Sequence, residues 1–248
     1  YKDKRDFPNI DNTSKLSAYL HFGLISPIQI INKVESLKQS NIGIDTYIKQ
    51  LIWREFSYYL LYHFNNIDTN NFNSKFDSFI WNDSNLLDNW KNAKTGIPII
   101  DAGMTELYET GYMHNRVRMI VASFLTKNLL INWKEGLSYF NNTLFDADIA
   151  NNSASWQWVA GTGADAAPYF RIFNPILQSE KFDKHGEYIR KYLPALKNIP
   201  NKYIHDPSKI TDIESNLINF KKGIDYPYPI VDLKESRELA LARHKQLK

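Results

Sequence analysis

Three short stretches of this sequence gather residue types suited to holding a flat heterocycle. Gln50, Trp53 and Arg54 sit three and four positions apart, so a helix there would carry an amide, an indole and a guanidinium on one edge. That edge fits stacking on and hydrogen bonding to a ring system, and equally a half-buried tryptophan beside a surface arginine. Asn115, Arg118 and Met119 repeat the spacing, with Arg116 projecting elsewhere. A buried arginine needs a carboxylate, and Asp146 and Asp148 lie downstream. The pair would be either a structural salt bridge or a charge that orients a cofactor. The third stretch, Asp146 to Trp158, packs acids, amides and two indoles into one segment with few strong hydrophobes. For the isolated Trp81 and Trp133, packing is the ordinary role.

Other chemistries fail on spacing. Gly161-x-Gly163 lacks a third glycine and a preceding strand. Lys94-Thr95-Gly96 has no Ser-x-x-Lys to accompany it. Asp146-x-Asp148 starts like a calcium loop, but Ala150, Asn151 and Gln157 occupy positions that need an oxygen ligand, a glycine and a glutamate. The six histidines show no His-Glu-x-x-His pair, and the chain has no cysteine, so no metal site is expected.

The elements that must position these residues read as helices. Ten glycines and ten prolines in 248 residues fall between periodic segments, and alternating β-branched runs are absent. The pattern predicts helices over 14–20, from Pro27 to about Leu37, from a capping Asp45 to about His63, and over 86–93. Others should run from Pro98 to before Gly111, over 114–130, from Trp133 to about Leu144, over 180–193 and from Leu233 to the end. Residues 161–175 read as a loop. The fold class is therefore all-α, one helical domain over 1–248.

With 43% hydrophobic and 14% aromatic residues the chain is globular, and no apolar run approaches the roughly 18–20 residues of a membrane span. A cytoplasmic setting and no membrane partner are expected, and the glycosylation-like triplets at Asn12, Asn141 and Asn151 read as chance matches. The net charge of +3 leaves the partner open.

Taken together the sequence resembles the photolyase/cryptochrome family, and within it the class I cyclobutane-dimer photolyases. The resemblance rests on Arg5-Asp-Phe-Pro8, Thr13-Ser-Lys-Leu-Ser17, Leu51-Ile-Trp-Arg-Glu-Phe56, Lys94-Thr-Gly-Ile-Pro98, Met113-His-Asn-Arg116, Trp156-Gln-Trp158, Thr162 to Arg171 and Tyr226-Pro227, in that order. It implies a helical FAD-binding domain with FAD at the bottom of a hole in a DNA-binding face. It also implies that the family's N-terminal α/β antenna domain lies outside this chain, so no antenna chromophore site is expected. Tyr1, Thr13, Ser14, Lys15, Leu16 and Ser17 would hold the diphosphate. Arg54, Arg118, Asp146, Ala147, Asp148 and Asn152 would surround the rings, with Asn152 near the flavin N5. Trp156, Trp133 and Trp81 fall where the family keeps its electron-relay tryptophans. Gln50, Trp53, Asn115, Met119 and Trp158 would line the hole, with Arg116 and Arg171 on nearby phosphates.

The activity so implied is a carbon–carbon lyase: light-driven splitting of cyclobutane pyrimidine dimers flipped out of UV-damaged DNA, using reduced FAD in a monomeric protein. Gln50 departs from that pattern, because cyclobutane-dimer enzymes usually carry glutamate there and (6-4) photolyases and animal cryptochromes glutamine. Asn115 and Met119 point back, because (6-4) enzymes place histidines there. A cryptochrome without repair activity and a light-independent DNA-binding module are the competing classes.

Overall fold

Proline and glycine bound several helices as the sequence predicts, and tertiary contacts shift the rest. The computed structural model describes residues 1–36, 42–164 and 170–247. Part of the Thr162 to Arg171 stretch, residues 165–169, lies outside them, as does Leu37. Among the described residues there is no sheet; one isolated bridge joins Lys222 and Tyr226.

Helix α1 covers Ser17–His21, and α2 covers Pro27–Ser36. At the start of α2 the Ser26 hydroxyl accepts from the Gln29 amide while the Gln29 side chain accepts from the Ser26 amide, a reciprocal cap. Helix α3 runs Ile42–His63, so Asp45 lies inside its first turn and is not its cap. Helix α4 is Leu87–Lys91, and α5, Pro98–Thr110, opens on its proline and closes on Gly111 in the left-handed conformation (φ 65°). Helix α6, Asn115–Ser123, is capped by the His114 ring, which accepts from the Arg116 amide. A single α-helix over 114–130 is not what forms. From Phe124 to Asn128 the backbone widens into a π turn, where the Thr126 hydroxyl bonds the Ala122 carbonyl.

Helix α7 is Trp133–Thr143 and α8 is Ile149–Ala160, the latter capped by Asp148. The predicted 180–193 helix divides into α9, Pro175–Phe182, and α10, Glu187–Tyr192. Gly186 takes a φ of 67° between them, and the Asp183 carboxylate turns back to accept from the amides of Tyr188 and Ile189. Helices α11 (Asp212–Leu217) and α12 (Leu233–Lys245) follow.

The core lies between α5, α6, α7 and the face of α10. Trp90, Ile100, Met104, Val117, Leu125, Trp133 and Tyr188 are among the residues closed off from solvent there. Burying side chains of this size stabilises the fold by roughly 1.5–3 kcal/mol each, so this block is the scaffold on which the remaining helices rest. Helix α8 leans on α7 and on α3, so α3, α6 and α8 each turn one face toward a common space.

Candidate functional site

That common space is a cavity of about 640 Å³. Each bounding helix supplies residues at three- and four-residue spacing: Gln50, Trp53, Arg54 and Ser57 from α3, Asn115, Arg118, Met119 and Ala122 from α6, and Asn152, Ser155, Trp156 and Val159 from α8. Tyr1, Ser14, Leu16 and Ser17 close the side nearest α1, and Asp146, Ala147 and Asp148 enter just before α8; Trp158 completes the wall. Every residue expected to hold the cofactor therefore lines the cavity except Thr13 and Lys15. Lys15 adopts a positive φ of 52° and pairs at the surface with Asp11 (2.9 Å). The positive φ also delays the helix, which begins at Ser17 and not at Ser14.

The electrostatic centre of the site is Arg118. Its Nη2 donates to both carboxylate oxygens of Asp146 (3.0 and 3.1 Å), and its Nε donates to the Met113 carbonyl (2.7 Å). Asp146 is almost closed to solvent while the arginine keeps part of its surface facing the cavity. The sequence offered Asp146 or Asp148 as the partner; Asp146 takes that place, and Asp148 works differently. One Asp148 oxygen caps α8, accepting from the Asn151 amide (2.9 Å) and side chain (2.8 Å). The other accepts from the Tyr58 hydroxyl, and the His21 ring lies 3.8 Å away.

Burial pushes the Asp148 carboxyl up, but the hydrogen bonds from Tyr58 and Asn151 and the charge of Arg54 outweigh it and hold the group below its ordinary value. The same contact, added to burial, raises the Tyr58 phenol to about 12. Tyr58 also lies under the Arg54 guanidinium (4.6 Å) and so braces two cavity residues from different elements. Sequence reading missed it, because a tyrosine among the aromatics of α3 carries no signal without its cross-helix partner.

Asn152 donates one of its two amide hydrogens to the Asn141 side-chain oxygen (2.6 Å). Trp156 is buried, and its indole fits against Gly136, where an added Cβ would fall 2.1 Å from the ring. Gly136 is one turn beyond Trp133 on α7, so Trp133 and Trp156 meet the same stretch of helix. Trp133 is closed off from solvent and donates to the Asn71 side chain (2.9 Å). Trp81 is partly exposed against Phe79 (4.6 Å between centroids). These two lie outside the cavity lining.

Arg116 is drawn away from the cavity, paired with Asp6 (3.1 Å) and stacked over Phe182 (4.3 Å). Arg171 is exposed beside Trp158, next to the buried Lys127. Gln157 proves structural: its amide bonds the backbone of Ile67, Asn70 and Phe72, pinning the loop that follows α3 to α8. Among the described residues no cluster of His, Asp and Glu could hold a metal ion, and no helix is long and apolar enough to cross a membrane.

The lining fits a large aromatic dinucleotide. The volume lies in the range of cofactor sites, and the lining combines hydroxyls, two guanidiniums, indoles and amides. Comparison with known proteins agrees. Residues 47–246 match the FAD binding domain of DNA photolyase. The chain is 47% identical over 251 residues to a deoxyribodipyrimidine photo-lyase of Agrobacterium fabrum, covering 100% of this chain and 52% of that protein. Among solved structures, a bacterial class III photolyase from Agrobacterium tumefaciens superposes with a TM-score of 0.96 at 47% identity, and a cryptochrome from Synechocystis sp. PCC6803 with 0.90 at 36%. Both matches cover 100% of this chain and 52% of the other. The chain thus spans about half the length of the relatives it matches. The expected class I subdivision gains no support from these likenesses.

Proposed function

This chain belongs to the DNA photolyase family, and from that premise we propose that it binds FAD in the α3–α6–α8 cavity and uses light to split cyclobutane pyrimidine dimers in DNA. The observation that carries the reading is the convergence of three helix faces, with the Arg118–Asp146 pair at the centre, on one cavity large enough for the cofactor. When bound, reduced FAD supplies a photoexcited electron that is lent to the dimer and recovered.

The protein's part is to bind and orient. Arg118 and Arg54 carry the positive charge that favours an anionic flavin ring, and Ser14, Ser17 and Tyr1 offer hydroxyls to the diphosphate. Asn152 presents an amide beside the ring edge. Gln50, Trp53, Asn115, Met119 and Trp158 lie around the remaining wall, where a base flipped out of the duplex would stack and hydrogen-bond. Half-exposed Trp53 is suited to such stacking, because Phe56 meets its ring only edge-on at 5.7 Å. Arg171, and Arg116 if released from Asp6, would meet phosphates, so affinity should fall as salt rises. Trp156, Trp133 and Trp81 would resupply electrons to the flavin, and the protein acts as a monomer.

Gln50 favours a second reading, repair of (6-4) photoproducts, and the likeness to a cryptochrome favours a third, light sensing without repair. Side-by-side light-dependent repair of defined cyclobutane and (6-4) lesions by the purified, flavin-loaded protein separates them. Cyclobutane repair is expected. Activity confined to (6-4) lesions would replace the substrate, and flavin binding with neither activity would leave the sensor.

A further inference from the structure

The rings packed on Trp156 include Phe140, itself part of the cavity lining, at 5.0 Å between centroids, and Trp90, outside that lining, at 6.2 Å with the planes crossed at 70°. Trp90 is wholly buried on α4, and its indole N–H donates to the Val121 carbonyl (3.1 Å). Tyr139 meets Trp90 edge-on at 5.6 Å. Tyr139 is only partly covered; its hydroxyl donates to the Lys91 carbonyl (3.3 Å), and the Lys91 ammonium lies 5.7 Å from its ring. Trp156, Trp90 and Tyr139 therefore form an unbroken file of oxidisable rings from the cavity wall to the surface. Trp133 sits one turn before Gly136 on α7, the residue against which the Trp156 ring rests. Packing accounts for the burial of Trp90, but not for a phenol at the outer end of the file.

We propose that Trp90 and Tyr139 form a second electron-supply branch to Trp156, ending in a tyrosyl radical at the surface. The proposal rests on reading Trp156 as the residue that donates to light-excited, oxidised FAD. Trp156 loses one electron to the flavin, Trp90 replaces it, and Tyr139 replaces the electron of Trp90. As it is oxidised, Tyr139 releases its phenolic proton to water, which leaves a neutral radical; a soluble thiol then returns one electron and one proton. The flavin gains one electron and the thiol loses one. Burial raises the Tyr139 pKa, so the phenol keeps its proton until the ring is oxidised and loses it only then.

The test is light-induced electron paramagnetic resonance on the flavin-loaded protein without thiol, read beside the bleaching of oxidised flavin. A tyrosyl signal is expected in the wild type and should vanish in Tyr139→Phe, a partly exposed change that leaves the melting temperature nearly unaltered. Trp133→Phe should slow bleaching and keep the tyrosyl signal, while Trp133→Phe with Tyr139→Phe should slow it further. A tyrosyl signal that survives Tyr139→Phe, or bleaching abolished by Trp133→Phe alone, overturns the branch and leaves the Trp156 relay standing. Normal bleaching in Trp156→Phe overturns the relay reading itself.

Discussion

The cavity and the block behind it treat their polar groups in opposite ways. In the block, Asp101 is fully buried and accepts from the Thr95 amide (2.9 Å), the Thr95 hydroxyl (2.6 Å), the Gly96 amide (3.1 Å) and the Tyr226 hydroxyl. Glu106 likewise accepts from the Tyr188 hydroxyl (2.7 Å), the Tyr192 hydroxyl (3.1 Å) and the His114 amide (3.2 Å). These carboxylates spend their lone pairs inside the protein. Around the cavity, among the described residues, the Gln50 side chain bonds its own helix, at the Thr46 carbonyl (3.3 Å), Asn115 reaches the Met119 sulfur (3.9 Å), and Asn115 and Trp53 are exposed. Saturated networks hold the scaffold, and unsaturated groups on rigid helices are left for a ligand.

The largest effect should follow from breaking the Arg118–Asp146 ion pair inside the cavity. Arg118→Met strands the Asp146 carboxylate in a nearly closed site, a loss of about 3–5 kcal/mol for a buried pair cut on one side. FAD affinity should fall by at least about 100-fold, measured as flavin retained after dialysis. Full flavin occupancy in this variant would show that the pair is scaffold and not site.

Breaking the block should leave the site's chemistry alone. Asp101→Ala leaves the Thr95 and Gly96 amides without their acceptor and should cost roughly 3–4 kcal/mol of unfolding free energy in denaturant titration. Flavin stoichiometry in the protein that remains folded should be unchanged. Gly96 shows why this corner tolerates little: its φ is 73°, and a Cβ there would fall 2.3 Å from the Tyr228 carbonyl oxygen.

This contrast also explains what was legible in the sequence. The Lys94 to Pro98 stretch and Tyr226-Pro227 stood out in the resemblance without any site role, and they are the two halves of the Asp101 lock. Helices α5 and α7 were legible because their ends are written locally, by Pro98 and Gly111 in one case and by the loop before Trp133 in the other. The break between α9 and α10 was not, because Asp183 reaches five and six residues ahead to cap α10 and Gly186 must fit under Ile204. The π turn at Phe124–Asn128 and the burial of Lys127, whose Nζ donates to the Ala160 carbonyl (2.5 Å), also depend on partners distant in sequence. The cavity residues were legible as three helix faces, but spacing alone did not say that the faces meet.

His114 links the two regions, because it caps the helix that carries Arg118 and its own amide is held by Glu106. Burial is the main cause that lowers its pKa from 6.5 to about 4; the Arg116 and Arg118 charges push the same way, against Asp6 and the Arg5 backbone. The folded state therefore prefers the neutral ring, which the cap also requires as an acceptor. Its contribution is present in full above pH 6.5 and is lost as pH falls from there through 4, by on the order of 3 kcal/mol in all. His114→Asn keeps a capping acceptor and removes the titration, so its stability should vary less over that window. Parallel profiles for the two proteins would sink the assignment.

The smallest effect is expected at Gln50, where the cavity is least committed. Its amide nitrogen turns back to the Thr46 carbonyl, a bond that a glutamate carboxylate cannot make. Gln50→Glu should release the side chain from its own helix and give a flipped thymine edge a stronger acceptor for its imide proton. One charge-assisted hydrogen bond in place of a neutral one is worth about 1 kcal/mol after desolvation, close to fivefold in repair of cyclobutane dimers at limiting substrate. In a pocket built for (6-4) lesions the same change should instead lower activity and create none toward cyclobutane dimers. A rise in cyclobutane repair would place Gln50 among the unsaturated groups that face a substrate. No change on either lesion would make its bond to Thr46 the whole of its role and move it to the scaffold side of the comparison.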